Sequence, residues 1–228
     1  MKISAIIPVR EKSQRVKNKN FRKFHKKNLL VYKIQQLKRI KGIDEIVVNT
    51  DSEEAIKIAK KLNVNYWKRE KYYASSKCSN SEFWRNIAET TRNEFILFTN
   101  CTTPLIKDET YKKALKLFRK NFGKFDSLNS ATLVKEFLYY GKKPLNFNLS
   151  KTPNSQNLPD ILKFNFGINI LSTKSMKTKK SVIGTKPFLL KIDQLEGIDI
   201  DTMVDFKFAE FLFKNSNHKI IKKIKKIK

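Results

Sequence analysis

The 228-residue chain has only two cysteines, two histidines, six glycines and six prolines. Cys78 and Cys101 form no CxxC pair and no Cys/His cluster, so neither a disulfide framework nor a structural zinc is signalled. His25 and His218 stand alone, without the neighbours that nucleophilic catalysis requires. There is no GxxxxGK[ST] motif, which weighs against a P-loop nucleoside triphosphatase. No apolar run approaches the roughly 20 residues of a membrane span, and the first one follows Met1-Lys2 directly, unlike a secretory leader. The expectation is a reduced, cytoplasmic protein. Acidic side chains are scarce too, at 21 Asp+Glu against 49 Lys+Arg, for a net charge of +28. Such a field attracts anions. The cations are scattered over most segments, so charge implies anionic partners without choosing among nucleic acid, anionic lipid and acidic small molecules.

One stretch dominates what is present. Residues 3–9 form an apolar run long enough for a buried strand, and after it Arg10, Lys12, Ser13, Arg15, Lys17, Lys19 and Asn20 arrive before any helical pattern begins. In an open α/β sheet, ligands sit beyond the carboxyl ends of strands, so this tip suits a chain of phosphates. A solvated basic turn is the competing reading.

The pattern recurs downstream. Leu30, Ile34, Leu37 and Ile40 keep helical spacing up to Gly42; residues 43–51 read as a β-branched strand; Ile56, Ala59 and Leu62 share a helix face, with Asp51-x-x-Glu54 as its capping box. Residues 64–67 read as a short strand, 69–81 as a serine-rich loop, 82–91 as a helix and 95–98 as a fourth strand emptying into Thr99-Asn100-Cys101-Thr102-Thr103-Pro104. This alternation predicts a single α/β domain with a doubly wound, mostly parallel sheet and a site along its carboxyl edge. Residues 127–134 fit a further strand, whereas 139–159 read as an insertion, an arm or an oligomer contact. Strands at 164–171 and 188–192 follow, with Gly167 marking a close backbone approach, then a helix over 204–213. A basic tail runs over 214–228, in which isoleucines from 220 onward share one helix face; membrane attachment is not expected of it.

Asp199-Ile200-Asp201 is the second informative feature. On an extended chain residues i and i+2 share a face, so both carboxylates can converge on one divalent cation such as Mg2+. Capping of the last helix by Asp201 or Thr202 with Asp205 is the rival reading, and it leaves Asp199 unexplained. A cation-rich strand tip together with a metal-suited acid pair points to phosphoryl or nucleotidyl transfer.

These residues also carry a family resemblance. Ile6-Ile7-Pro8-Val9-Arg10 through Ser13 and Lys19-Asn20 resembles the opening signature of the CMP-sialic acid synthetases (acylneuraminate or nonulosonate cytidylyltransferases). Val47-Val48-Asn49-Thr50-Asp51-Ser52-Glu53 is similar to their second strand and turn, and Thr102-Thr103-Pro104-Leu105 to their Thr-Ser-Pro-Leu-Arg. Ile198-Asp199-Ile200-Asp201-Thr202 is similar to their late Ile-Asp-Ile-Asp-Thr. The four motifs keep their order and spacing over nearly the whole chain.

The resemblance implies a fold like that of nucleotide-diphospho-sugar transferases, a homodimer built through an insertion at about residues 135–163, and a Mg2+-dependent reaction of CTP with an acidic 2-keto sugar. By it, Arg10 and Lys19 hold the triphosphate; Ser13, Asn20 and Arg69 help seat the nucleotide; Asp199 and Asp201 hold the metal, Asp201 with a catalytic part; and Asn100, Thr102, Phe166 and Gly167 meet the sugar. Departures from the pattern are Glu11 and Lys12 where the loop has small residues, Gln14-Arg15 for Lys-Gly, Lys17 for Pro, Ile106 for Arg, and Asn100 for a Gln. Activation of 3-deoxy-manno-octulosonate is the nearest alternative. A basic nucleic-acid-binding protein is the alternative of another class, disfavoured because charge excess alone does not dictate where the cations and the acid pair stand.

Overall fold

The computed structural model describes residues 1–13 and 15–215. Seven strands form its sheet: β1 Ile3–Val9, β2 Glu45–Thr50, β3 Asn65–Lys68, β4 Phe95–Phe98, β5 Ser127–Val134, β6 Ile161–Ser172 and β7 Pro187–Ile192. Their spatial order is β7-β5-β6-β4-β1-β2-β3. β1 pairs in parallel with β2 and β4, β2 with β3, and β5 with β7, while β6 runs antiparallel between β4 and β5. The sheet is therefore mostly parallel, as the strand-helix alternation predicts.

Alternation along the strands divides the core in two. Ile3, Ala5, Ile7 and Val9 of β1, with Phe95 and Leu97 of β4, face a large cluster shared with helices α1 Leu29–Lys38, α2 Glu53–Lys61, α4 Asp108–Asn121 and α6 Met203–Lys214. Ile6, Ile96 and Phe98 face the opposite way, toward α3 Asn80–Thr90 and α5 Thr173–Lys179. With both faces covered, these central strands read as continuous apolar runs, which is why the sequence discloses them. Strand β3 is exposed throughout and closes one edge with Lys68, a charge that discourages further pairing.

Several expectations are corrected in detail. The loop expected over 69–81 contains a one-turn helix, Lys71–Ala74, and α3 begins early because Ser79 and Glu82 form a reciprocal capping box. Ser52, not Asp51, caps α2; Asp51 instead accepts the Glu11 amide at 3.0 Å. Asp199 and Asp201 lie on irregular backbone, not on a strand, and Ile200 is held by donating its amide to the Thr102 carbonyl at 2.9 Å. Thr202 and Asp205 cap α6, leaving both acids free of that task. The arm between β5 and β6 carries a two-residue hairpin, Tyr139–Tyr140 with Lys143–Pro144, and its root is pinned where Asp160 takes Lys135 and Lys191, each at 2.8 Å. The expected tail helix face lies outside the described residues, and among those residues no helix is long and apolar enough to cross a membrane.

A buried polar network ties the two sides of β4. Lys33, 1% exposed, donates to the Tyr111 hydroxyl at 2.7 Å, to the Thr103 carbonyl at 3.1 Å and to Gln36 at 3.1 Å. The Tyr111 hydroxyl also lies 2.7 Å from the Thr99 hydroxyl, and Thr99 donates to the Gly167 carbonyl at 2.6 Å. A buried ammonium deprived of one partner is left poorly compensated. Tyr111→Phe, which keeps the ring, is expected to lower unfolding free energy by about 1–3 kcal/mol in urea titration.

Candidate active site

Parallel strands deliver their carboxyl-end loops to one edge, and there a cleft of about 540 Å³ opens. Arg10, Ser13, Arg15, Val16, Lys19 and Asn20 come from the loop after β1, Asn100 to Thr102 from the tip of β4, and Asp199 and Asp201 from the segment before α6. Because β6 runs antiparallel and Asn169 sits opposite Phe98, residues just before it overhang the same edge, bringing Phe166 to the cleft.

Of the residues singled out in the sequence, Arg10, Ser13, Lys19, Asn20, Asn100, Thr102, Phe166, Asp199 and Asp201 line this one space. Arg69 and Gly167 do not. Arg69 is buried beneath the wall, where its guanidinium donates to the Val9 carbonyl at 2.6 Å, stands 3.7 Å from Asp51 and covers the Phe83 ring. Burial lowers its pKa to about 10, so it stays charged at neutral pH and buttresses the end of β1. Gly167 lies under the wall as well: a Cβ there would come 2.2 Å from Ile106, which fits the close approach read from the sequence. Glu11 and Lys12, the odd residues of the loop, are exposed, and neither lines the cleft.

Sequence reasoning gave Arg15 no role of its own and missed Asn80, Phe83 and Trp84. The last three arrive on the first turns of α3, and Ser79-x-x-Glu82 was the signal that this helix starts early enough to bring them in. Arg15 reaches Asp201 at 2.7 Å, a contact across 186 residues that no local pattern encodes. Lys19 stands 3.6 Å from the same carboxylate and donates to the Ile200 carbonyl at 2.5 Å.

Asp199 is different. Its carboxyl is pushed above the ordinary range chiefly by burial, and further by Asp201, with the Thr102 hydroxyl, Lys19 and Arg15 opposing. Its Oδ1 is buried and has no hydrogen-bond partner. A buried oxygen without a donor, beside a second carboxylate, fits a divalent cation. Among the described residues no group of three or more His, Cys, Asp or Glu assembles. With two carboxylates as its protein ligands, the site would suit magnesium, which is commonly held by one or two carboxylates, better than a closed structural metal. Cys101 is poorly suited to act as a nucleophile: burial pushes its thiol up to about 12, and it donates to Asn20 at 3.2 Å.

Residues 4–189 match the family described as Cytidylyltransferase. The chain belongs to that family. As a cytidylyltransferase-family chain it is a nucleotidyltransferase by relationship, and the motif resemblance to the nonulosonate branch stands. It is 28% identical over 228 residues to post-translational flagellin modification protein B of Campylobacter coli, with 94% of this chain and 96% of the relative covered. It is equally 28% identical to a CMP-N,N'-diacetyllegionaminic acid synthase of Campylobacter jejuni, at the same coverage. A solved CMP:2-keto-3-deoxy-manno-octonic acid synthetase complexed with CTP superposes with a TM-score of 0.69 over 95% of this chain and all of that one; at 12% identity the likeness is one of fold.

The α3 capping box that presents Asn80, Phe83 and Trp84 sets an acid limit. Glu82 is lowered to about 2 by the Ser79 hydroxyl and amide and by Tyr72. A carboxyl depressed on folding stabilises above its ordinary value of 4.5, and that contribution disappears as pH falls toward 2. Glu82→Ala is expected to melt below the wild type at pH 7, with the gap closing as thermal melts are taken down to pH 2.

Proposed function

We propose that this cytidylyltransferase transfers CMP from CTP to the anomeric hydroxyl of a sialic-acid-like nonulosonic acid, releasing pyrophosphate with the help of magnesium. The observation that carries the reading is the meeting, in one cleft, of the β1 cations with the Asp199 and Asp201 carboxylates. The legionaminate chemistry named for the Campylobacter jejuni relative supports the substrate class.

The division of labour follows from charge. Arg10 and Lys19 bind the triphosphate, and their cations offset charge that develops on departing pyrophosphate. Ser13 and Asn20 orient the nucleotide from the same loop. Arg15, 67% exposed at its side chain, holds Asp201 in the free protein and is released cheaply when phosphate enters. Asp199 and Asp201 would hold magnesium, which when bound withdraws electron density from the reacting phosphate. Asn100 and Thr102, at the tip of β4, position the acid's reacting end toward that phosphate in line with the leaving group.

The protein is further proposed to work as a homodimer, with the arm as its contact: Tyr140, Leu145 and Leu149 are 82%, 61% and 64% exposed there, more apolar surface than a free arm favours. Neither membrane nor nucleic acid is needed by this reading.

A panel of nucleoside triphosphates and 2-keto acids, read as pyrophosphate, tests class, base and acceptor together. CTP-dependent release with a nonulosonic acid is expected, lost on chelation and restored by magnesium. Asp201→Ala should lower kcat/KM by about 100-fold or more. Silence across the whole panel would end the proposal, and preference for 3-deoxy-manno-octulosonate would move the substrate to that acid.

A further inference from the structure

Helix α3 serves two cavities. Its first turns carry Asn80, Phe83 and Trp84 to the cleft, whereas Ile87 and Thr90 near its end line a groove of about 360 Å³ that shares no lining residue with the cleft. The groove lies on the margin of the sheet. Val48 packs into the large core cluster, so Glu45, Val47 and Asn49 point the other way, into the groove, along roughly 13 Å of β2. Edge strand β3 keeps the same phase: Asn65 pairs with Val47, and Trp67 with Asn49.

Polar groups in this groove are not all spent on the fold. Asn49 is 2% exposed, yet its Oδ1 has no hydrogen-bond partner. A buried amide left so is costly, and a ligand edge with a donor beside an acceptor would satisfy it. Trp67, its neighbour in register, is 43% exposed and offers a ring beside that amide. Thr90 and Thr91 both donate to the Ile87 carbonyl, at 3.1 and 2.8 Å, which leaves their oxygens as acceptors. Glu45 already accepts from the Ser4 hydroxyl at 2.6 Å and from Asn65 at 2.7 Å. Asn93 donates to that same Ser4 at 2.9 Å, so the preceding residue, the exposed Arg92, stands at the Glu45 end and supplies a cation there.

We propose that this groove is a second nucleotide site, which takes a nucleoside monophosphate with its base on Trp67 and against Asn49, its ribose hydroxyls donating to Thr90 and Thr91, and its phosphate on Arg92. A ring for stacking, an amide for the base edge, hydroxyl acceptors and a cation are the partners that such a ligand requires. The volume lies at the lower end of the range for small-molecule sites, in keeping with one nucleotide. Nothing in this assignment depends on the transfer reaction.

CMP and AMP are the probes. Trp84→Phe leaves Trp67 as the remaining tryptophan, and its fluorescence is expected to fall saturably with at least one of the two nucleotides and not with ribose 5-phosphate. Calorimetry on the chain with Trp84 intact separates the cavities: Trp67→Ala should weaken the groove's nucleotide binding about 10-fold or more, and Arg92→Gln should weaken the nucleotide about 5-fold or more while changing the uncharged nucleoside by less than about 2-fold. Both side chains are exposed, so both variants should fold, and neither should alter KM for CTP in the transfer assay. No quenching by either nucleotide, equal quenching by ribose 5-phosphate, or unchanged nucleotide binding in Trp67→Ala overturns the assignment. Pyrophosphate release without quenching refutes the groove site and leaves the transfer reaction standing; quenching without release refutes the transfer reaction and leaves the groove site standing.

Discussion

Lys19 is the point on which the site depends. Its ammonium, on a side chain only 15% exposed, donates to the Ile200 carbonyl 181 residues away and stands beside Asp201. Ile200 in turn donates to Thr102, so three segments that share no secondary structure are fastened together: the loop after β1, the tip of β4 and the approach to α6. In a chain of net charge +28, acid side chains are the scarce component, and two of them are held where the cations of the first loop converge. That arrangement gives an empty cleft internal charge balance and a filled one the means to exchange those pairs for phosphate.

Folding rules are broken in and behind the cleft. Asp199 Oδ1 within it, and Asn165 Nδ2 and Arg69 Nε behind its lining, lack partners, as does Asn49 Oδ1 on β2, and Phe166 is strained. Unsatisfied buried groups and sparsely populated backbone conformations each oppose folding, and at Asp199 and Phe166 both kinds stand in the cleft lining. The Asp199 carboxyl shows the sign. Because burial raises it, the folded state holds that proton more tightly than the unfolded chain, and its contribution to stability declines as pH rises past the ordinary value of 3.8. A divalent cation, if held at that oxygen, would offset the penalty. The rest of the molecule is conventional, with both faces of β1 and β4 sealed by apolar helices.

How much of this was legible in the sequence follows from the range of each interaction. Strands β1 and β4 are written as apolar runs because both their faces are buried, and the polar tips that follow them identified much of the cleft. Asp51 was misread because its capping-box spacing is local, whereas its actual partners, the Glu11 amide and Arg69, come from other segments. Arg69 looked like a ligand-binding residue among serines; only the folded chain puts it under the Phe83 ring. Arg15 was read only as one cation of the β1 tip, because the acid it pairs with lies 186 residues on. The turn at Phe166 is invisible to propensity, since it is forced by Ser130 and Asn165 against the preference of the residue that adopts it.

The central claim is that the first loop and the distant acid pair act as one device on the reacting phosphate. A double-mutant cycle on kcat/KM with Lys19→Met and Asp201→Asn measures this directly. Residues that work as a unit lose little more together than either loses alone, so the double variant is predicted to lie within about 10-fold of the worse single one. Losses that multiply in full would contradict the account and divide the cleft into two independent sites.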